Sequence, residues 1–131
     1  MDKKAVIYLV DDDSSALRGL TRLLLVAGYK VNAYASSDEL LKSTIIDKNA
    51  CLILDARMPG LSGMDLRVKL NNKGVKLPVI FVTADDDDET RQKARALKAA
   101  SFFRKPVDGP ALLDAVSWAL ETQERDSGHT V

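Results

Sequence analysis

The feature that most constrains the fold is an uninterrupted apolar run that ends in one carboxylate. Residues 51–54 read Cys-Leu-Ile-Leu, Asp55 follows them, and Pro59-Gly60 marks a turn soon after. A short apolar run bounded by turn residues is typical of a strand buried on both faces, as in a parallel sheet. Ligands of open α/β sheets bind at the carboxyl ends of such strands, so Asp55 is a candidate for chemistry. Taken alone, an Asp at a strand end is more often a turn former or a helix cap.

Short apolar runs alternate with amphipathic segments along the rest of the chain. Strands are expected at 5–10, 30–34, 51–55, 77–82 and 101–104. Helices are expected from Ser14 or Ser15 to Gly28, from Ser36 to Ile45, from Ser62 to about Asn71, from about Asp86 to Leu97, and from Asp108 to Leu120. This order predicts an α/β fold, a doubly wound sheet of five parallel strands with right-handed crossovers and helices on both faces. The fourth helix has few large apolar residues, so we expect it to be the least firmly held.

Composition limits the possible function classes. The 131 residues fit one domain, and 19 basic residues balance 19 acidic ones, so nothing favours contact with nucleic acid or a membrane. The single cysteine, Cys51, lies in an apolar run, which predicts a buried reduced thiol in a cytoplasmic protein. The apolar run from Ala5 is far too short for a signal peptide or a membrane span. We expect one domain over 1–122, and a polar tail or the start of an interdomain linker over 123–131.

Four of the predicted strands end in residues that can act together. These residues are Asp11 and Asp12, Asp55, Thr83 and Lys105. Because the carboxyl ends of parallel strands share one edge, three carboxylates, a hydroxyl and an ammonium should converge there. Three clustered carboxylates would bind protons unless a cation lies among them, and oxygen ligands suit Mg²⁺. A carboxylate held between such an ion, a lysine and a hydroxyl is suited to accept a phosphoryl group.

The same strand ends carry a resemblance to a known family. The segments are Leu-Val-Asp-Asp-Asp at 9–13, Leu-Asp-Ala-Arg-Met-Pro-Gly-Leu-Ser-Gly at 54–63, Val-Thr-Ala at 82–84 and Phe-Phe-Arg-Lys-Pro at 102–106. With these segments in this order, the chain closely resembles the receiver domain of two-component response regulators from about Ala5 to Leu120. The resemblance implies a flavodoxin-like sheet with strand order 2-1-3-4-5.

The resemblance also implies a role for each acidic residue. Asp55 would be the phosphoacceptor, taking a phosphoryl group from a sensor histidine kinase or a phosphotransfer protein. Asp12 would bind Mg²⁺ directly and Asp11 chiefly through water, with Asp55 and the Arg57 backbone carbonyl as further ligands. The domain would phosphorylate and slowly dephosphorylate itself without turning over an external substrate, so it would not be an enzyme.

The remaining implied residues connect the phosphoryl group to an output. Thr83 would bond one phosphoryl oxygen and Lys105 another. Thr83 and Phe102 would then move and remodel the face formed by the fourth helix, fifth strand and fifth helix. That face would control an output domain or protein target, with transcription as the expected output, and would also be the surface through which two phosphorylated copies of the chain pair.

Several alternatives stay open at this stage. Asp13 is best explained as a helix cap, while Thr83 could be an ordinary strand residue, Lys105 a surface charge and Phe102 part of the core. A degenerate receiver that serves only as an interaction module is one rival function. An aspartate-nucleophile phosphatase is another, although that class generally needs an Asp where this chain has Arg57.

Two departures from the family pattern lead to local predictions. Lys98 stands where receivers usually have Gly, so a positive φ there would strain the backbone. Arg57 and Asp85 lie two residues beyond Asp55 and Thr83. We expect these two side chains to form an ion pair across the opening of the site and to slow dephosphorylation.

Overall fold

The architecture is five parallel strands that alternate with five helices. It is seen in a computed structural model that describes residues 5–128. The strands are β1 Val6–Val10, β2 Lys30–Tyr34, β3 Ala50–Asp55, β4 Val79–Thr83 and β5 Ser101–Arg104. The helices are α1 Ser14–Val26, α2 Ser37–Leu41, α3 Gly63–Asn72, α4 Asp88–Ala96 and α5 Gly109–Gly128.

The sheet has the order β2-β1-β3-β4-β5, and every neighbouring pair is parallel. The predicted fold class and strand order are therefore confirmed. At the carboxyl edge Asp55 lies opposite Val82 in β4, and Thr83 lies opposite Arg104 in β5. The register thus brings the ends of β3, β4 and β5 to one edge of the sheet, where the predicted site lies.

Alternation of side chains along the strands divides the core into two layers. One layer packs α2, α3 and α4 against one face of the sheet; its large members include Tyr8, Leu40, Leu52, Leu54, Leu66, Leu70 and Phe81. The other packs α1 and α5 against the opposite face; its members include Ile7, Leu9, Leu20, Leu24, Ile53, Ile80, Leu112 and Val116. Across 5–128, no helix combines the length and hydropathy needed to span a membrane.

Side-chain caps begin most of the helices. Ser36 and Ser62 accept hydrogen bonds from backbone N–H groups three residues further on, at 3.2 and 3.1 Å, as predicted. Asp108 does the same at 3.2 Å. For α1 the expected cap at Ser14 or Ser15 was wrong, whereas the capping role expected of Asp13 is confirmed: it accepts from Ser15 N at 2.9 Å. An Asp one position earlier satisfies the same free N–H groups, so either choice fits the pattern.

Three other helix boundaries differ from those expected. α4 begins at Asp88 with Asp87 as its cap, and α2 ends at Leu41 instead of Ile45. α5 continues to Gly128, so the expected tail is helical over 123–128, while 129–131 lie outside the described residues. The first residue of that segment, Gln123, accepts a hydrogen bond from Ala50 N at 3.3 Å. The lack of an apolar periodicity after Leu120 wrongly predicted the end of the helix, because polar residues such as Glu and Gln are good helix formers.

Three helices end in the same hydrogen-bonded motif, but only two use glycine. The residue after each C-cap has a positive φ: +102° at Gly28, +82° at Gly74 and +60° at Lys98. After α4, Lys98 N bonds Arg95 O at 2.9 Å and Ala99 N bonds Ala94 O at 3.1 Å, the pair of bonds that defines a Schellman motif. The φ at Lys98 is thus positive, which is the condition under which we expect strain, because a Cβ is present where glycine is favoured.

The Cys51 thiol should not react in the folded protein. Cys51 is fully buried, and burial raises its thiol pKa to about 12, so roughly one molecule in ten thousand carries a thiolate at about pH 8. We expect no reaction with Ellman's reagent under native conditions and one equivalent after denaturation in guanidinium chloride. Because Cys51 is the only cysteine, absorbance reports it alone. Rapid stoichiometric reaction before denaturation would contradict its burial.

Gly63 should not tolerate a side chain. A Cβ at Gly63 would overlap the Asp55 carbonyl oxygen and lie 2.8 Å from its carbonyl carbon, so α3 would have to move away from the end of β3. We expect Gly63→Ala to lower the free energy of unfolding by about 1–3 kcal/mol or more. Gly19→Ala is the matched control, since nothing lies within 4 Å of a Cβ in that part of α1. Urea unfolding of both variants checks this, and equal midpoints would refute it.

Lys98→Gly should stabilise the chain. Glycine removes the strain of the left-handed backbone but adds entropy to the unfolded state, leaving a net gain of roughly 0.5–1 kcal/mol. Gln92→Gly is the control, because Gln92 is exposed inside α4, where glycine should destabilise by about 0.5–1 kcal/mol. Urea midpoints should therefore shift in opposite directions. A loss of stability in both variants would show that Lys98 is not strained.

Candidate functional site

The buried carboxylate of Asp55 lies at the end of β3 and is held through both oxygens. Its Oδ1 accepts a hydrogen bond from Arg57 N at 3.1 Å, and its Oδ2 accepts one from Lys105 Nζ at 3.0 Å. The residue is only 4% exposed. The turn after the strand therefore fixes one oxygen, and a side chain from the end of β5 fixes the other.

Two further carboxylates lie beside Asp55. Asp11, directly after β1, is fully buried; its Oδ1 accepts from Asp13 N at 2.9 Å. Asp12 is exposed to solvent. One carboxylate oxygen from each of Asp11, Asp12 and Asp55 lies within 4.8 Å of the other two. The structure thus brings these three acids together, as the sequence predicts.

The Lys105 ammonium is the cation that lies between two of these acids. Its Nζ is 3.0 Å from Asp55 Oδ2 and 2.8 Å from Asp11 Oδ2, and the Lys105 backbone N donates to Thr83 O at 2.8 Å. Burial by itself would lower the Lys105 pKa, but the two carboxylates raise it above its usual value. Three carboxylates against one ammonium leave two negative charges at the site.

The electrostatics of Asp55 favour an additional cation. Burial, with a smaller effect from the Asp11 charge, raises the pKa of Asp55 to about 6 against the opposing bonds from Lys105 and Arg57 N. A nearby cation would favour the ionised form. Asp11 Oδ2 is available for one, because it is buried and makes only a charge contact with Lys105 that lacks hydrogen-bond geometry. Hard carboxylate oxygens with solvent on one side suit Mg²⁺, so the residues fit the predicted ion.

Thr83 lies at the end of β4 with its hydroxyl engaged locally. The residue is fully buried, and its Oγ1 accepts a hydrogen bond from Asp85 N at 3.1 Å. The structure shows no hydrogen bond from this hydroxyl to the Asp55 carboxylate, although the strand register puts both at the same edge. The predicted contact of Thr83 with a phosphoryl oxygen stays a prediction.

The predicted Arg57–Asp85 ion pair was wrong. Arg57 Nη2 instead contacts Asp87 Oδ2 at 3.0 Å and Thr90 Oγ1 at 3.0 Å, while Nε donates to Thr90 Oγ1 at 3.3 Å. Asp85 is exposed, and its backbone N bonds Thr83. Asp87 is the cap of α4, a position that holds its carboxylate against the first turn and beside Arg57. The run of aspartates at 85–88 predicts a cap for α4, but spacing identifies neither which aspartate caps the helix nor its arginine partner.

Phe102, the predicted aromatic switch, is half-buried against the layer of the core that contains Phe81. The Arg91 guanidinium lies over its ring, 5.2 Å from the centroid, and Arg91 Nη2 donates to Asp86 Oδ2 at 2.8 Å. Phe103 points to the opposite layer, as expected from alternation. Sequence reasoning missed the Arg91 contact, which depends on how α4 packs beside β5.

Known proteins are similar to this chain in both sequence and fold. The sequence pattern of the response regulator receiver domain matches residues 7–117. The chain is 39% identical over 130 residues to nodulation protein W of Bradyrhizobium diazoefficiens, covering 98% of this chain and 57% of that protein. It is 32% identical over 120 residues to transcriptional regulatory protein FixJ of Azorhizobium caulinodans, covering 92% and 57%. The chain thus spans a little over half the length of these curated relatives.

A solved structure of the response regulator StyR superimposes with a TM-score of 0.87 at 33% identity. The match covers 96% of this chain and 64% of that one. Fold, strand-end residues and sequence pattern therefore agree, and the chain belongs to the response regulator receiver domain family.

Proposed function

We propose that this domain is a cytoplasmic signalling switch that accepts a phosphoryl group on Asp55 in the presence of Mg²⁺. The observation that carries the proposal is the Lys105 ammonium, 3.0 Å from Asp55 and 2.8 Å from Asp11, inside a cluster of three carboxylates. A structural ion pair would need one carboxylate for one ammonium. The excess of negative charge instead suits a site that also holds a divalent cation.

Each charged residue has a distinct task in this proposal. Asp11, Asp12, Asp55 and the Arg57 backbone carbonyl would hold Mg²⁺, which supplies positive charge against the oxygens of the transferring phosphoryl group. Lys105 would supply a second positive charge and pair with a phosphoryl oxygen once its bond to Asp55 is given up. Thr83 would turn its hydroxyl from Asp85 towards the phosphoryl group.

The transfer itself is a displacement at phosphorus. An Asp55 carboxylate oxygen forms a bond to phosphorus while the bond to the donor breaks, and the electron pair of that bond leaves with the donor. With a histidine kinase or a phosphotransfer protein, the leaving group is the imidazole of the donor histidine. The product is an acyl phosphate, whose slow hydrolysis returns the domain to its starting state without turnover of an external substrate.

The output face would consist of α4, β5 and α5. α4 buries only the small residues Thr90 and Ala94, whereas α3, one residue longer, buries five residues, so α4 would be rearranged more easily than α3. Thr83 and Phe102 would link the phosphoryl group to this face, which would contact an output domain, a protein target or a second copy of the chain. The name of the FixJ relative supports a transcriptional output.

The test is intact mass after incubation with acetyl phosphate. We expect a gain of one phosphoryl group that requires Mg²⁺, because both the cation and Lys105 must offset charge during transfer. Asp55→Asn should abolish the gain. Asp114→Asn removes the same charge from an exposed position on α5 and should leave it unchanged.

The alternatives give different results in the same assay. No gain in mass, with Mg²⁺ binding confirmed by titration, would favour a degenerate receiver that acts only as an interaction module. Rapid release of inorganic phosphate that Asp55→Asn abolishes, with no accumulation of the phosphorylated mass, would favour an aspartate-nucleophile phosphatase. Arg57, at the position where such phosphatases need an acid, already speaks against the second result.

A further inference from the structure

Polar contacts, more than apolar burial, hold the first turn of α4. Only Thr90 and Ala94 of this helix are buried. A groove of about 720 Å³ separates α4 from α3, with Met64 and Val68 of α3 on one side and Lys93 on the other. Direct packing between the two helices is therefore sparse, and the position of α4 depends on its other contacts.

One of these contacts, beside that of Arg91 with Phe102, is the cluster of Arg57, Asp87 and Thr90, which we name the clasp. The guanidinium donates to Asp87 Oδ2 at 3.0 Å and to Thr90 Oγ1 at 3.0 and 3.3 Å. Asp87 Oδ1 also accepts from Thr90 N at 2.7 Å, so the cap of α4 and the clasp share one carboxylate. Hydrogen bonds from Thr90 hold the pKa of Asp87 below its usual value, which keeps it ionised for Arg57.

Arg57 contacts both the clasp and Asp55, the proposed phosphoacceptor. Its backbone N donates to Asp55 Oδ1 at 3.1 Å, while its side chain reaches α4. Thr90 is only 3% exposed, so while the clasp is closed its hydroxyl has little access to water and accepts hydrogen bonds from Arg57 instead. A change at the Asp55 carboxylate therefore acts directly on the residue that holds α4.

We propose that Arg57 is a positioning residue that keeps the first turn of α4 in its resting place and releases it when Asp55 is phosphorylated. The proposal deepens the function proposed above and rests on it for the release step. The acyl phosphate would carry up to two negative charges where the free Asp55 carboxylate carries one, and it would compete with Asp87 for the guanidinium of Arg57. The contacts of the clasp are already present in the unphosphorylated protein, so they can be tested without a phosphoryl donor.

Hydrogen exchange of the full chain, followed by mass spectrometry, tests the resting clasp without phosphorylation. In Arg57→Ala, we expect amides over 84–97 to exchange about fivefold to tenfold faster than in the wild type, with the strands unchanged. Thr90→Val keeps the shape of a β-branched side chain but removes the acceptor, and should show part of the same increase. Arg95→Ala, the same loss of charge on the exposed side of α4, should have no effect.

A second arm tests release by comparing acetyl phosphate-treated and untreated protein. Phosphorylated wild type should reach the exchange rates of untreated Arg57→Ala over 84–97, and phosphorylation of the variant should add less than about a twofold increase. Equal rates over 84–97 in Arg57→Ala and wild type, or an equal increase in Arg95→Ala, would overturn the clasp. Wild type that gains no phosphoryl group would refute the proposed function and the release step, while the first arm would still decide the clasp.

Discussion

The site depends on an imbalance of charge at the edge of the sheet. Parallel strands bring Asp11 and Asp55 into a buried position where their carboxylates face one ammonium, that of Lys105. The two carboxylates cannot move apart, because each is fixed at the end of a strand that lies inside the two-layered core. Burial disfavours the ionised form of Asp55 and is the main reason that its pKa is raised to about 6. The fold therefore maintains a site that becomes more stable when further positive charge enters it.

The parts of this arrangement that sequence could predict are governed by local rules. Apolar runs identified β1, β3 and β4, and the polar residue at the end of each run identified most of the site, because the change from apolar to polar residues marks a strand end to within about one residue. Strand order came from family resemblance, since periodicity alone does not specify it. Caps such as Ser36 and Ser62 were also predictable, because a helix start needs an acceptor within one turn.

The parts that sequence could not predict depend on the path of a loop. Asp85 and Asp87 both lie between β4 and α4, and only the turn at Thr83 directs one outward and the other towards Arg57. Arginine is long enough to reach either, so spacing did not discriminate between them. The end of α5 was missed for a different reason: periodicity reports burial, and a helix can continue on propensity where one side faces solvent.

The weak attachment of α4 is compatible with the free energy that a phosphoryl group on Asp55 would supply under the proposed function. Moving a two-state element from 1:99 to 99:1 requires about 5.5 kcal/mol of differential free energy. A helix held by several buried leucines, each contributing about 1.5–3 kcal/mol, could not be moved by that amount. An exposed ion pair such as Arg57–Asp87 contributes much less than a buried leucine. Hydrogen bonds to charged groups contribute about 1.5–3 kcal/mol in general. One new charged group at Asp55 is therefore comparable in free energy to the contacts that hold α4 in place.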